Sequence, residues 1–228
     1  MSYKFEKNET VELITNSEKK KIRNDLIKEA AYYNERLLNK EFWIFLDDNI
    51  TNFKIIFDKK RFSHLTGVCS NLSAVDFFDL CLGKVENDTK RFINLSDFFT
   101  TTKHTKHSEM EKAEIFMYID KLFSENLFVA FDIKTKSKEY KLGLVDIKLS
   151  LLCDMFSSIT YIPFSLRKKS YLESSSKQLR PKYIFLKNVN DDKYSKYTYP
   201  KKIDIINDDI VNNPEIDKDN LVYFCIDK

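Results

Sequence analysis

Glycine and proline are scarce in this chain, which has three of one and four of the other in 228 residues. Both residues punctuate local structure, so their scarcity predicts long regular elements with few tight turns. No run of about 18 apolar residues occurs, which argues against a membrane-spanning helix, and the opening MSYKFEKNETVEL lacks the apolar core of a secretory leader. The expected compartment is therefore the cytoplasm. Cys69, Cys81, Cys153 and Cys225 are scattered, with no C-x-x-C spacing that reads as a zinc or redox motif. Three of them sit in the apolar runs LCL, LLCDM and VYFCI, the setting of small buried thiols in a reducing compartment. A P-loop, a dinucleotide glycine fingerprint, a G-x-S-x-G elbow and a zinc-deaminase pattern are also missing. Their absence argues against ATP-driven and serine-hydrolase chemistry.

What is present describes a globular chain. Hydrophobic residues make up 43% and charged residues 32%, enough apolar matter for a substantial core and a heavily charged surface. The net charge of +3 conceals its distribution. Residues 133–202 hold 16 Lys+Arg against 6 Asp+Glu, a balance of +10, whereas residues 203–228 hold 2 against 7, a balance of −5. A basic stretch followed by an acidic tail predicts a polyanion-facing surface with the tail lying near it. A solvated lysine-rich face is the competing reading.

Hydrophobic periodicity places the elements. Ile22, Leu26, Ala30, Tyr33 and Leu37 recur at spacings of three and four, predicting an amphipathic helix over residues 17–40 with Ser17 as its cap. EFWIFL and FKIIFD, separated by Asp47 to Thr51, predict a β-hairpin that presents Trp43 on one face. A His-Leu-Thr-Gly turn follows, and then a helix from Ala74 to Leu82, capped by Ser73 and ended by Gly83. Ser108 and Glu111 form a capping-box pair that opens a helix running to about Asn126. Thereafter LFVAFDI, YKLGLVDIKL, SITYIPFSL, KYIFLKNV and LVYFCI read as strands, while LSLLCDMF fits either type. The expected fold class is α+β: N-terminal helices and a β-hairpin followed by a mainly antiparallel sheet. Residues 1–40 form a helical extension and residues 41–228 a single domain.

Three groups could carry chemistry. His64 stands beside Thr66 and Gly67, just after Lys60 and Arg61. Imidazole is the usual acid/base group near neutral pH, and a turn with free N–H groups accepts an anion. A histidine that packs between hairpin and helix is the plainer alternative. The second group is YIPFSLRKKSY, which gathers Ser165, Arg167, Lys168, Lys169 and Tyr171 and is followed by Arg180 and Lys182. Guanidinium groups stabilise the charge that collects on a phosphorane, and tyrosines stack on unpaired bases; the plainer alternative is a solvated strand end. The third is His104 and His107, which share a face only if that stretch is helical and have no third ligand at a defined spacing, so no metal is expected.

FDKKRFSHLTGV, AVDFFDLCLGK and SSITYIPFSLRKKS, in that order, resemble three blocks of a group of phage- and mobile-element-associated proteins. This is the fourth phage branch of the barnase, EndoU, colicin and RelE-like (BECR) nuclease superfamily. The similarity runs over roughly residues 35–190, and the first block is its most specific part. The resemblance implies a compact α+β fold with a curved antiparallel sheet and metal-independent cleavage of RNA by attack of the 2′-hydroxyl, with no cofactor. It places His64 on the family's His-Leu-Thr/Ile-Gly position and Ser165 on the polar position of its Pro-x-Ser/Thr-Leu stretch. Arg167 joins them as catalytic by its charge, with Lys60, Arg61, Thr66, Lys168, Lys169, Tyr171, Arg180 and Lys182 as RNA-binding residues. The partners it implies are RNA and a cognate antitoxin or inhibitor, as for a toxin or phage-defence effector. The alternative is a non-catalytic module that binds RNA or protein. In either case the acidic tail could cover the basic surface.

Overall fold

The computed structural model describes residues 10–86, 89–102, 104–124, 126–136, 138–201, 210 and 212–225. It forms two compact units, Met1–Leu38 with Asp58–Met117 and Asn39–Phe57 with Tyr118–Lys228. The N-terminal helix, expected as an extension of one large domain, thus groups with residues 58–117. In chain order the elements of the first half are α1 (Asn16–Arg36), β1 (Lys40–Leu46), β2 (Asn52–Ile56), α2 (Phe62–Thr66), β3 (Cys69–Ser70), α3 (Ala74–Leu82), β4 (Lys84–Glu86), β5 (Thr89–Arg91), β6 (Phe98–Phe99) and α4 (Lys106–Phe116). Then come β7 (Phe128–Lys134), β8 (Glu139–Val145), β9 (Ser150–Met155), β10 (Thr160–Arg167), β11 (Lys177–Leu179), β12 (Pro181–Asn188), β13 (Lys196–Tyr199) and β14 (Val222–Tyr223).

The first unit is helical, with the hairpin β4–β5 and a two-stranded pair, β3–β6. Thr15, not Ser17, caps α1: its hydroxyl accepts from the Glu18 N–H at 3.2 Å, and the Glu18 carboxylate accepts from the Thr15 N–H at 2.8 Å. The Thr-x-x-Glu spacing permits this reciprocal box, and Ser17 falls inside the first turn. Ser73 and Gly83 bound α3 as expected, with Gly83 at φ +92°. Thr105 caps α4 ahead of the expected Ser108, and the helix stops at Phe116 instead of running to Asn126. The stripe residues Ile115, Ile119, Leu122 and Phe123 are buried nonetheless, the last two on a 3₁₀ turn of the second unit. Tyr33 centres the helical core, with ring centroids 5.6 Å from Phe62 and 5.8 Å from Phe78, and its hydroxyl donates to the Asp58 carbonyl at 2.8 Å.

This core also holds two carboxyl groups, Glu29 at 2% exposure and Glu109 at 1%, with no hydrogen-bond partner among the described residues. Burial, then repulsion from Asp25, pushes Glu109 up to about 7, against the pull of Lys21 and Lys112. Burial, then Glu109 and Asp25, raises Glu29 well above the carboxylate range. For Glu109 the folded value exceeds the unfolded one, so its stabilising effect is complete below the ordinary value and is lost as pH rises to about 7. The melting temperature should fall between pH 5 and pH 8, by an amount on the order of 3 kcal/mol in stability. Glu109→Gln should remove the Glu109 share of that slope and leave the share of Glu29, which also keeps its proton in the folded state, raising stability at pH 8 and leaving pH 5 little changed. Thermal melts of the two proteins at both values check this.

The second unit is built on a ten-stranded sheet in the order β11-β7-β8-β9-β10-β2-β1-β12-β13-β14. It is mainly antiparallel, with β10–β2 and β13–β14 as parallel pairs. LSLLCDMF resolves as strand β9, its apolar residues paired with β8 and β10. β11 and β12 are nearly continuous in the chain, yet β11 pairs with β7 and β12 with β1. One run of backbone therefore touches distant strands of the same sheet, which requires the sheet to curl. Cross-strand partners share a face. Val129, Leu144, Leu151 and Leu166 form one row of the core face, all at 0% exposure, and Phe42 on the same sheet stacks on Phe123 at 3.7 Å. The opposite face carries Lys54 and Arg167 beside buried apolar residues such as Trp43 and Leu152. Of the expected LVYFCI strand only Val222–Tyr223 pairs, and Ile226 lies outside the described residues.

Candidate active site

A β-bulge decides which way the basic strand points. Along β10, Tyr161, Ile162 and Pro163 pair with Met155, Asp154 and Cys153, but after Pro163 the register shifts, and Ser165, Leu166 and Arg167 pair with Leu152, Leu151 and Ser150. Continued without the shift, the alternation would turn Ser165 and Arg167 to the core face; the extra residue turns both to the opposite face and gives Leu166 to the core. Pro163 suits the irregularity because it has no ladder N–H to lose. Arg167 is partly exposed, and its Nε–H is shielded from water without a hydrogen-bond partner among the described residues. Such a donor is costly unless something accepts from it.

Register also brings Arg180 into the same row. Arg167 pairs with Ser150, Ser150 with Val145, and Val145 with Phe128, while the Arg180 guanidinium lies 4.2 Å above the Phe128 ring. Lys168 and Lys169 are exposed beyond the end of β10. The Lys169 carbonyl accepts from the Ser150 hydroxyl at 2.6 Å, and its ammonium sits 5.1 Å above Tyr171. Tyr171 packs on the apolar patch of Ala130, Ile133, Tyr140, Val145 and Leu152. Ser165 is 5% exposed. Lys182 donates to Asn49 Oδ1 at 2.7 Å, in the β1–β2 turn. Asp48 in that turn is held well below the carboxylate range, chiefly by hydrogen bonds from Thr51 and with help from Lys177.

A second network on the same face escaped the sequence reading. Glu41 and Lys54 come from the β1–β2 hairpin, Lys187 and Tyr194 from the end of β12 and the loop after it, and Glu215 from beyond β13, so no local spacing announces the set. Trp43 pairs with Lys54 across β1 and β2, and Lys54 with Thr160 across β2 and β10. The Lys54 ammonium lies 4.8 Å from the Trp43 ring and 2.7 Å from Glu215, with Glu41 at 3.9 Å. Lys187 approaches Glu41 at 3.8 Å, and the buried Tyr194 hydroxyl donates to the same carboxylate. Burial, then that hydrogen bond and the Glu41 charge, raises the Tyr194 phenol far above its ordinary value. Residues 212–225 cover this end through Ile216, which is buried among Trp43, Phe185, Tyr194 and Tyr197. Lys54, Thr160, Ile162 and Arg167 remain partly exposed.

In the first unit, His64 lies on α2 and not in a turn after a strand, because residues 59–61 wind into a 3₁₀ turn that runs into the helix. Its side chain is exposed, and its carbonyl accepts from Lys112 Nζ at 3.2 Å. Gly67 closes the helix at φ +79°, where an added Cβ would stand 2.8 Å from Lys112 Cδ. Lys60 is exposed, and Arg61 Nε lies 4.0 Å from Asp58. Thr66 is buried and donates its hydroxyl to the Ser63 carbonyl at 3.0 Å, so it packs the helix end and presents nothing to a ligand. His104 precedes the Thr105 cap while His107 lies on α4, 3.4 Å from Glu111, so the two histidines do not share a helical face.

A family model described as phage-Barnase-EndoU-ColicinE5/D-RelE like nuclease 4 matches residues 25–206. The chain belongs to this family. The matched span of this phage-associated nuclease family contains every candidate site residue named from the sequence, and Glu41, Lys54, Lys187 and Tyr194 as well. Residues 212–225, with Glu215, fall beyond it. No curated protein and no solved structure matches the chain. Among the described residues no helix is long and apolar enough to cross a membrane.

Proposed function

We propose that this protein is a metal-independent endoribonuclease acting as a toxin or phage-defence effector. The match to a nuclease family over residues 25–206 carries the reading, and the basic face of the second unit supports it. In the proposed reaction a ribose 2′-hydroxyl loses its proton and attacks the adjacent phosphorus. The 5′-oxygen then takes up a proton and leaves, so the products end in a 2′,3′-cyclic phosphate and a 5′-hydroxyl.

Arg167, with Lys168 and Lys169 beyond it, is the proposed anion-stabilising set, because the phosphorane gathers charge that a preorganised guanidinium holds without reorganising. His64 is the proposed proton-transfer group, since imidazole changes its charge near neutral pH. Ser165, buried at 5% exposure on the same strand face as Arg167, is assigned to positioning that strand. A cognate antitoxin would act by covering this cationic face.

Labelled tRNA, mRNA and rRNA incubated with the protein in EDTA test the reading. Discrete cuts ending in 2′,3′-cyclic phosphate are expected. Loss of cutting in EDTA would overturn metal independence, and salt-sensitive binding without new ends would make the protein a binding module.

A further inference from the structure

We infer that Lys54 is a phosphate-binding subsite of the RNA-binding face and that Glu215 occupies it in the free protein as an internal competitor. The inference rests on the ribonuclease reading and adds a regulatory contact to it. Lys54 and Arg167 project from the same face of the sheet, Lys54 through its pairing with Thr160 on the strand that ends in Arg167. The Lys54 side chain is 14% exposed, and its ammonium lies between the Trp43 ring at 4.8 Å and the Tyr194 ring at 5.6 Å. Both rings are themselves buried, so the cation is held in place while its approach stays narrow.

Glu215 fills that approach. Its carboxylate stands 2.7 Å from Lys54 Nζ and is 47% exposed, so one side faces the ammonium and the other faces water. A phosphodiester oxygen offers the same charge-assisted acceptor at the same distance. Glu41 stands 3.9 Å from Lys54 and is shared with Lys187 at 3.8 Å, so it offsets only one of the two cations. The network of Lys54, Lys187, Glu41 and Glu215 sums to zero charge with Glu215 in place and to +1 without it.

The segment that carries Glu215 is fastened by other means. The Tyr194 N–H donates to the Glu215 carbonyl at 2.8 Å and the Asp217 N–H to the Tyr194 carbonyl at 2.9 Å, while Ile216 is buried. The carboxylate can therefore swing off Lys54 while the backbone stays docked. Glu215 is half in water and Lys54 keeps Glu41 at 3.9 Å, so loss of the contact leaves the fold intact and frees the cation. Of the other carboxylates in the expected acidic tail, Asp217 and Asp219 are described, and Asp204, Asp208, Asp209 and Asp227 lie outside the described residues.

The test measures binding of a fluorescent single-stranded 2′-O-methyl oligonucleotide, which cannot be cut by 2′-hydroxyl attack, as a function of salt. Glu215→Gln should tighten binding about fivefold at low salt and steepen the slope of log affinity against log salt by about 0.7, the value for one added phosphate contact. Lys54→Met keeps the aliphatic stem over Trp43, should weaken binding, and should abolish the gain from Glu215→Gln in the double variant. Glu215→Ser, with melting curves for all variants, guards against a local fold effect. Unchanged affinity in Glu215→Gln and Glu215→Ser, or an equal gain in the Lys54→Met background, overturns the inference alone. If neither the wild-type protein nor any variant binds, both this inference and the ribonuclease reading fall.

Discussion

His64→Ala should reduce RNA cleavage by about 10²- to 10⁴-fold, the usual contribution of a positioned acid/base group, while leaving the melting curve unchanged. The side chain is exposed on α2 and fills no core space. The local backbone is fixed by other groups, namely Gly67 at the helix end and the Lys112 ammonium on the His64 carbonyl. Exposed substitutions of this kind usually move stability by no more than about 0.5 kcal/mol. Loss of activity is therefore interpretable as loss of a chemical group. Cleavage of labelled RNA under single-turnover conditions, with a parallel thermal melt, gives the answer. Full activity in a folded His64→Ala protein would remove the imidazole from the mechanism.

Arg167→Ala should lower the cleavage rate by about 10²- to 10³-fold, the cost of removing one preorganised donor aimed at developing charge. Arg167→Lys should recover only part of the loss, because an ammonium cannot offer two parallel N–H bonds to a phosphate. Folding should tolerate both changes, since the Arg167 Nε–H has no partner among the described residues to lose. The decisive readout is the split between kcat and KM. A guanidinium that stabilises the phosphorane acts mainly on kcat, whereas a residue that only attracts RNA acts mainly on KM. Unaltered kcat in Arg167→Ala would reassign the residue to binding.

Local signals located most elements and missed their interruptions. Ser73 and Gly83 bound α3 where a cap and a left-handed glycine require, because both devices act within one turn of chain. The start of α1 moved to Thr15 for an equally local reason, the Thr-x-x-Glu box, which was present in the sequence and passed over. His64 was legible as a residue type, but its setting was not: a strand end with a turn was expected, and a short helix is found. Thr66 shows the same limit, since only packing reveals that its hydroxyl is spent on Ser63.

Length, the scarcity of glycine and proline, the two hydrophobic periods and the block order around His64 and Pro163 determined the α+β class and the family from the sequence alone. These are properties of neighbouring residues, and a chain displays them whether or not it is folded. Tertiary structure decided the face on which Arg167 stands and the company that Lys54 keeps. A one-residue shift against β9 reverses every side chain beyond it. The Lys54 network draws on Glu41, Tyr194 and Glu215, which only strand pairing and the docking of the C-terminal segment bring together.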